Sequence, residues 1–343
     1  MNIAKKKLGN TNLEVTTLGV GTASLGNLYK KIGDAEAQLT LNRAFECGLN
    51  FFDTAPRYGL GLSERRVGDV LREKNKSDYV LSTKVGRVLT RDVHAKTSEL
   101  RYEFDTPMPF DAHYDYTYDG IMRSYEDSLQ RLGLASIDIL LIHDIGAFTH
   151  SSKDLHYYKQ LETSGFSALE ELRRSKQIKA VGLGVNETEI CERAMQLGQF
   201  DCFLLAGRYS LLEQDAIDSF LPKCKEHGAS IILGGPYNSG ILATGVKGTN
   251  TPMYDYAPAP QEIIKRVSDI EDLCNEFNVT LAAAALQFPL AHEAVATVIP
   301  GIDSEARMTK TAELFNENIP QEFWNTLKDS GLIKENVPVP GEL

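Results

Sequence analysis

Short apolar runs rich in β-branched residues recur eight times along these 343 residues, each closed by a turn signal and followed by an amphipathic stretch. The runs fall at 18–22, 50–54, 79–84, 137–143, 180–185, 202–206, 230–234 and 296–300. Helical spacing occupies 34–47, a stretch opening at Ser63, then 118–132, 166–176, 187–197, 215–227 and 261–278, with further stretches at 281–290 and 304–315. Parallel strands need a long crossover and a helix supplies it, so strict alternation implies a parallel α/β sheet. Eight such units predict a closed (β/α)8 TIM barrel filling 1–343 as one domain. An open doubly wound sheet would want a complete glycine fingerprint after an early strand, and Gly19-Val-Gly21-Thr-Ala-Ser24 ends on serine. Those glycines read better as close packing at a barrel rim.

Charge narrows the partners. With 36 Lys+Arg against 47 Asp+Glu the net charge is −11, which disfavours nucleic acid and anionic membrane and leaves a small molecule as the expected partner. The most apolar stretch, 281–291, is shorter than the ~18 residues of a membrane span and contains Gln287 and Pro289. The basic start of the chain runs into Gly9, Asn10, Thr11 and Asn12 rather than an apolar core, so a cytoplasmic protein is expected. Five scattered cysteines without CxxC spacing read as reduced and buried. Nothing in the sequence separates a monomer from a homo-oligomer.

In a barrel, chemistry gathers at the C-terminal ends of the strands. There stand Asp53 with nearby Tyr58 after the second run, Lys84 closing the third and His143 closing the fourth. Singly, each has a bland reading: a turn cap, a packed ring, a rim lysine, a core histidine. Together they suit moving a proton to or from a hydroxyl or carbonyl oxygen. A neighbouring ammonium favours phenolate, so Lys84 is expected to bring Tyr58 into acid–base range, with Asp53 holding Lys84 and His143 orienting the substrate oxygen. One His and one Asp make a poor metal site, and no metal is expected.

Three segments carry a resemblance: Phe52-Asp53-Thr54-Ala55-Pro56-Arg57-Tyr58-Gly59, Leu81-Ser82-Thr83-Lys84, and Asp138-Ile139-Leu140-Leu141-Ile142-His143. In order and spacing they resemble the signatures of the aldo-keto reductase superfamily, over nearly the whole chain. The resemblance implies a catalytic tetrad of Asp53, Tyr58, Lys84 and His143, and a nicotinamide cofactor extended across the barrel mouth. The segments 58–68 and 116–124 and Gly207-Arg208-Tyr209-Ser210-Leu211-Leu212 are similar to the branch of aldose 1-dehydrogenases, the L-fucose or D-threo-aldose type, and pyridoxal 4-dehydrogenases.

That resemblance implies cofactor contacts at Gly21, Thr22, Asp53, Asn186, Arg208, Asn238, Ser239, Gly240, Gly301, Asp303 and Arg307. Asn186 matches the family asparagine for the carboxamide, whereas the usual glutamine and stacking tyrosine fall on Ala206 and Gly234. The loop 235–240 lies where the family cradles the pyrophosphate. A carboxylate at Asp303 repels a 2′-phosphate and accepts from a free ribose hydroxyl, so NAD is expected over NADP, with Arg307 pulling the other way. The connection 87–118 is long for a barrel and aromatic, and is the expected substrate loop, with Tyr114 and Tyr116 joining Tyr58 and His143 against the substrate. The expected reaction is oxidation of the anomeric carbon of an aldose to a lactone. Pyridoxal, also a cyclic hemiacetal, is the alternative substrate, and a cofactor-sensing regulatory subunit is the alternative outside enzymes.

Overall fold

The computed structural model describes residues 3–342, with eight parallel strands at the centre. They are β1 (Val20–Gly21), β2 (Phe51–Asp53), β3 (Val80–Val85), β4 (Ile139–His143), β5 (Ala180–Val185), β6 (Cys202–Ala206), β7 (Ser230–Gly234) and β8 (Val295–Ile299). Each pairs with its sequence neighbours. The outer two meet: Gly19 N–H donates to the Val298 carbonyl at 2.9 Å and Gly21 N–H to that of Pro300 at 3.1 Å, and the sheet closes into the expected barrel. A Cβ on Gly19 would lie 2.9 Å from the side chains of Phe51 and Ile299, and one on Gly21 3.0 Å from the Ile299 carbonyl. Packing at the seam, not phosphate binding, therefore accounts for this glycine pair. The seam also shortens β1 relative to 18–22, because Leu18 contacts β8 only through an isolated bridge.

The pleat decides what reaches the mouth. Alternate residues face the barrel axis, and Phe51, Val80, Ile139 and Leu141 fill its centre with Leu8, Leu13 and Val15 from the N-terminal hairpin (Lys5–Lys7 with Glu14–Thr16). Two residues beyond Phe51, Ser82 and Leu141, the same inward parity delivers Asp53, Lys84 and His143. The opposite faces carry Phe52, Leu81, Leu140 and Leu183 into the layer beneath the helices. Phe52 stacks on Phe45 at 4.8 Å, and truncating such a ring costs roughly 3–5 kcal/mol through lost burial and the cavity left behind.

The helices that matter for the site are α1 (Asp34–Glu46), α2 (Leu62–Leu71), α3 (Tyr118–Leu132) and α4 (Glu305–Phe315). Thr117 caps α3 by accepting from Gly120 N–H, and Gly133 ends it at φ 63°. Helix α2 begins at Leu62, one residue before Ser63, whose hydroxyl does not cap it. Ser63 instead bonds the Thr22 carbonyl at 2.8 Å and pairs with the hydroxyls of Thr22 and Thr54, tying α2 to two strand ends. The stretch 215–227 breaks into a 3-10 turn, Asp215–Ile217, and a helix, Phe220–His227, because Ser219 leaves helical backbone at φ −139°. Helix Gln321–Asp329 follows α4, outside every expected stretch.

The connection 87–118 is not an unstructured loop. Arg87–Arg91 and Phe110–Tyr114 pair as an antiparallel hairpin, and Phe104 bridges to Leu28 across the mouth. All five cysteines are buried and unpaired. Among the described residues no helix is long and apolar enough to cross a membrane, and no cluster of His, Cys, Asp and Glu is arranged to hold a metal ion.

Candidate active site

Four side chains from three strand ends and one loop converge at the mouth. Lys84, 1% exposed, sets its ammonium 2.7 Å from Asp53 Oδ2, 2.9 Å from the Thr54 carbonyl and 3.2 Å from the Tyr58 hydroxyl. That gives each ammonium proton an acceptor, and the second Asp53 oxygen accepts from Ser82 Oγ at 2.7 Å. A buried ion pair is tolerable only when its remaining bonding capacity is met in this way. Room for the lysine comes from β5: a Cβ on Gly184 would sit 3.1 Å from Lys84 Cε.

Burial works against the Lys84 ammonium, but Asp53 and Tyr58 outweigh it and hold its pKa above the ordinary value. For Tyr58 the balance runs opposite to the expectation. Burial raises the phenol above its usual pKa, Lys84 pulls it down, and Asp53 and Asp144 add to the rise. The phenol is thus protonated at rest, and the field of Lys84 alone does not make it a phenolate. His143 meets Tyr58 edge-on, with ring centroids 5.9 Å apart. Burial drives its pKa well below the ordinary value against the pull of Asp144, and Arg87, Lys84 and Arg57 push the same way as burial. A neutral imidazole results, with Nε2 3.4 Å from Asp144.

These groups open onto a cavity of about 340 Å³. Its walls bring in residues the sequence did not single out: Arg57, Arg87, Asp144, Tyr29, Phe148 and Tyr256. Arg57 and Asp144 adjoin Tyr58 and His143 in the chain, which was the available signal. Tyr256 lies 110 residues or more from the tetrad, in a loop without any pattern. Arg87 pairs with Asp144 and lies over the Tyr114 ring at 4.5 Å.

The two expected substrate tyrosines lie elsewhere. Tyr116 is fully buried, donating to the His143 carbonyl at 2.8 Å and lying 3.0 Å from His150 Nε2, so it braces the histidine strand from behind. Tyr114 is half-buried between Arg87, Tyr116 and His150, off the cavity wall. Both corrections follow from the hairpin, which turns these rings onto the barrel.

The expected cofactor residues divide. Thr22 is buried, its hydroxyl on the Asp53 carbonyl at 2.8 Å, and offers no free surface. The Asn238 side chain is also engaged, donating to the Gly207 carbonyl and accepting from Ser210, so it joins two loops instead of facing outward. Asn186 lines the cavity, and one segment holds it together with Arg208 and Ser239. Asn186 Nδ2 donates to the Tyr256 hydroxyl at 3.1 Å, Arg208 pairs with Asp255 at 3.0 Å, and Ser239 Oγ accepts from Tyr256 N–H at 2.9 Å. Open backbone remains at Gly240, where an added Cβ meets nothing within 4 Å, and at Gly301, where it meets only Ser24. Ser304 caps α4, and Asp303 pairs with Arg307 at 3.3 Å. Exposed backbone, a capped helix start and a carboxylate at its edge fit an extended dinucleotide along the rim.

A family model described as "Aldo/keto reductase family" matches residues 17–331. A pyridoxal 4-dehydrogenase from Microbacterium luteolum is 44% identical, over 96% of this chain and 98% of its own length. A D-threo-aldose 1-dehydrogenase from a Pseudomonas species is 36% identical, over 94% of this chain and 95% of its own length. Among solved structures, a glycerol dehydrogenase from Gluconobacter oxydans superposes with a TM-score of 0.74 at 20% identity, covering 99% of this chain and 98% of its own, which speaks for the fold alone.

Proposed function

From the premise that this chain belongs to the aldo/keto reductase family, we propose that it is an NAD-dependent dehydrogenase that oxidises the hydroxyl-bearing carbon of a cyclic hemiacetal to a lactone. The observation that carries this reading is the contact chain Asp53–Lys84–Tyr58 at the floor of the cavity, with neutral His143 beside it. The nicotinamide, when bound, supplies the hydride acceptor. The protein's own part is the proton: Tyr58 first releases its phenolic proton to solvent, a cost that Lys84 lowers by stabilising the phenolate, the phenolate then takes the proton of the hemiacetal hydroxyl as hydride leaves the carbon, and Asp53 fixes Lys84. His143, uncharged, donates an N–H to the same oxygen and orients it. Asn186, Arg208, the 238–240 backbone, Gly301 and Asp303 are the groups proposed to hold the dinucleotide. Asp303 engages Arg307, which leaves less cation for a 2′-phosphate and favours NAD.

Pyridoxal is the first substrate reading. It is the substrate named for the relative at 44% identity, and Tyr29, Phe104, Phe148 and Tyr256 line the cavity with flat rings that suit a pyridine. An aldose of the L-fucose or D-threo type is the second, favoured by the carboxylates of Asp144 and Glu103 on the same walls, good acceptors for sugar hydroxyls. The intact Tyr58–Lys84 contact supports turnover over a purely regulatory role. The test is NADH formation at 340 nm with pyridoxal, L-fucose and D-arabinose, for wild type and Tyr58→Phe. The variant should bind NAD⁺ normally and lose about 10²–10⁴-fold in kcat. Near-normal turnover by that variant removes Tyr58 from the mechanism.

A further inference from the structure

We propose that Arg57 selects the substrate by binding an ionised ring oxygen next to the reacting carbon, an inference that rests on the hemiacetal reading above. The other cations around the cavity are committed. Lys84 has three acceptors, Arg87 holds Asp144, and Arg208 holds the Asn186 carbonyl and Asp255. Arg57 is different. It lines the cavity immediately before Tyr58, yet among the described residues its guanidinium makes no hydrogen bond, and its single ion pair is a long 3.6 Å contact to the half-exposed Glu103. A guanidinium carries five N–H donors in a fixed fork, and here the fork is idle beside the proposed proton acceptor. Its plane is supported by the rings of Tyr102 and Phe104, 6.0 and 5.9 Å away.

Glu103 serves as a stand-in. Tyr102 and Glu103 both hold left-handed backbone, at φ 51° and 72°, a conformation costly for such residues and concentrated at functional sites. The strained turn places one carboxylate near Arg57 without bonding it closely, and a better anion can displace it. A neutral sugar brings no such anion. The hemiacetal of a 3-hydroxypyridine-4-carbaldehyde does: its ring hydroxyl ionises readily, and the resulting oxygen is ortho to the carbon that loses hydride. Arg57 and Tyr58, adjacent in the chain and both on the cavity wall, suit two neighbouring oxygens of such a molecule, the ionised one on the ring and the hemiacetal hydroxyl on the carbon attached beside it.

The test is calorimetric titration of the enzyme–NADH complex with 4-pyridolactone, which keeps the ring hydroxyl but needs no turnover. Arg57→Met should weaken binding by about 10–100-fold, the range of a charge-assisted bond, and Arg57→Lys should recover part of it. Glu103→Gln removes the rival carboxylate and should tighten binding by roughly threefold or more, a gain that misfolding cannot produce. Wild-type affinity should follow ionisation of the ligand's ring hydroxyl, and the Arg57→Met variant should lose that dependence. Equal affinity in wild type and Arg57→Met, weaker binding by Glu103→Gln, or no binding by wild type overturns the assignment. Arg57-dependent lactone binding without pyridoxal oxidation overturns the substrate reading and leaves Arg57 standing. Pyridoxal oxidation with Arg57-independent binding does the reverse.

Discussion

Replacing Lys84 by methionine keeps the length of the side chain and removes its charge. In the structure the ammonium lies 3.2 Å from the Tyr58 hydroxyl. At that separation Coulomb's law with an effective dielectric of about 20 gives an attraction of about 5 kcal/mol for the phenolate, an upper figure. Asp53 also faces Tyr58 and, left unpaired, either opposes the phenolate or takes up a proton, so the net shift is smaller than the bare attraction. A rise in the Tyr58 pKa of about 2–3 units follows, and a general base harder to ionise by that much slows proton removal about 10²–10³-fold at neutral pH. The assay is kcat/KM for oxidation from pH 7 to 10.5, with NAD⁺ affinity measured by quenching of protein fluorescence. Wild type should gain activity as pH rises, because its own buried phenol starts above the usual pKa. In Lys84→Met the rise should begin at higher pH, with the affinity for NAD⁺ little changed. The single variant also strands Asp53 in the core, a loss of roughly 3–5 kcal/mol in stability. Asp53→Asn with Lys84→Met should restore stability and not activity, separating the two effects. A Lys84→Met profile that overlays wild type within threefold refutes the electrostatic role.

Asp303→Ser should release Arg307 and lower the preference for NAD⁺ over NADP⁺ by about 10-fold or more, read from kcat/KM with each coenzyme; an unchanged ratio dismisses Asp303 as the discriminator. His143 is neutral when folded, with its pKa depressed, so below about pH 6.5 the unfolded chain takes up a proton that the native state refuses, and stability falls with pH at up to about 1.4 kcal/mol per unit for this group. Above that range both states are neutral and the contribution is flat. Urea unfolding of His143→Gln at pH 7.5, 6.0 and 5.0 should therefore show a shallower decline than wild type, and an identical decline assigns the acid lability to other histidines. Gly184→Ala should press a methyl group to 3.1 Å of Lys84 Cε and lower kcat/KM at least about 10-fold while the circular dichroism stays native; full activity shows that the lysine can shift at no cost.

The sequence by itself determined the barrel and the parity of its strand ends. Alternation of βα units is a local pattern, and a two-residue pleat carries Phe51 to Asp53 and Leu141 to His143 whatever the rest of the chain does. Three strands, 180–185, 202–206 and 230–234, have the bounds the apolar runs predicted, because they are buried on both faces and end at polar or glycine-rich turns. Signature motifs put Asp53, Tyr58, Lys84 and His143 in one mouth for the same reason.

Only the tertiary structure decided what surrounds them. That Tyr116 is a brace and not a wall, that Asn238 ties two loops together, and that Asp255 and Tyr256 reach Asn186 and Arg208 all depend on contacts between segments tens of residues apart. No periodicity encodes such contacts. The protonation of Tyr58 belongs to the same class. Its partner Lys84 is visible in the sequence, but the burial that outweighs that partner is a property of the closed barrel and the loop folded across it.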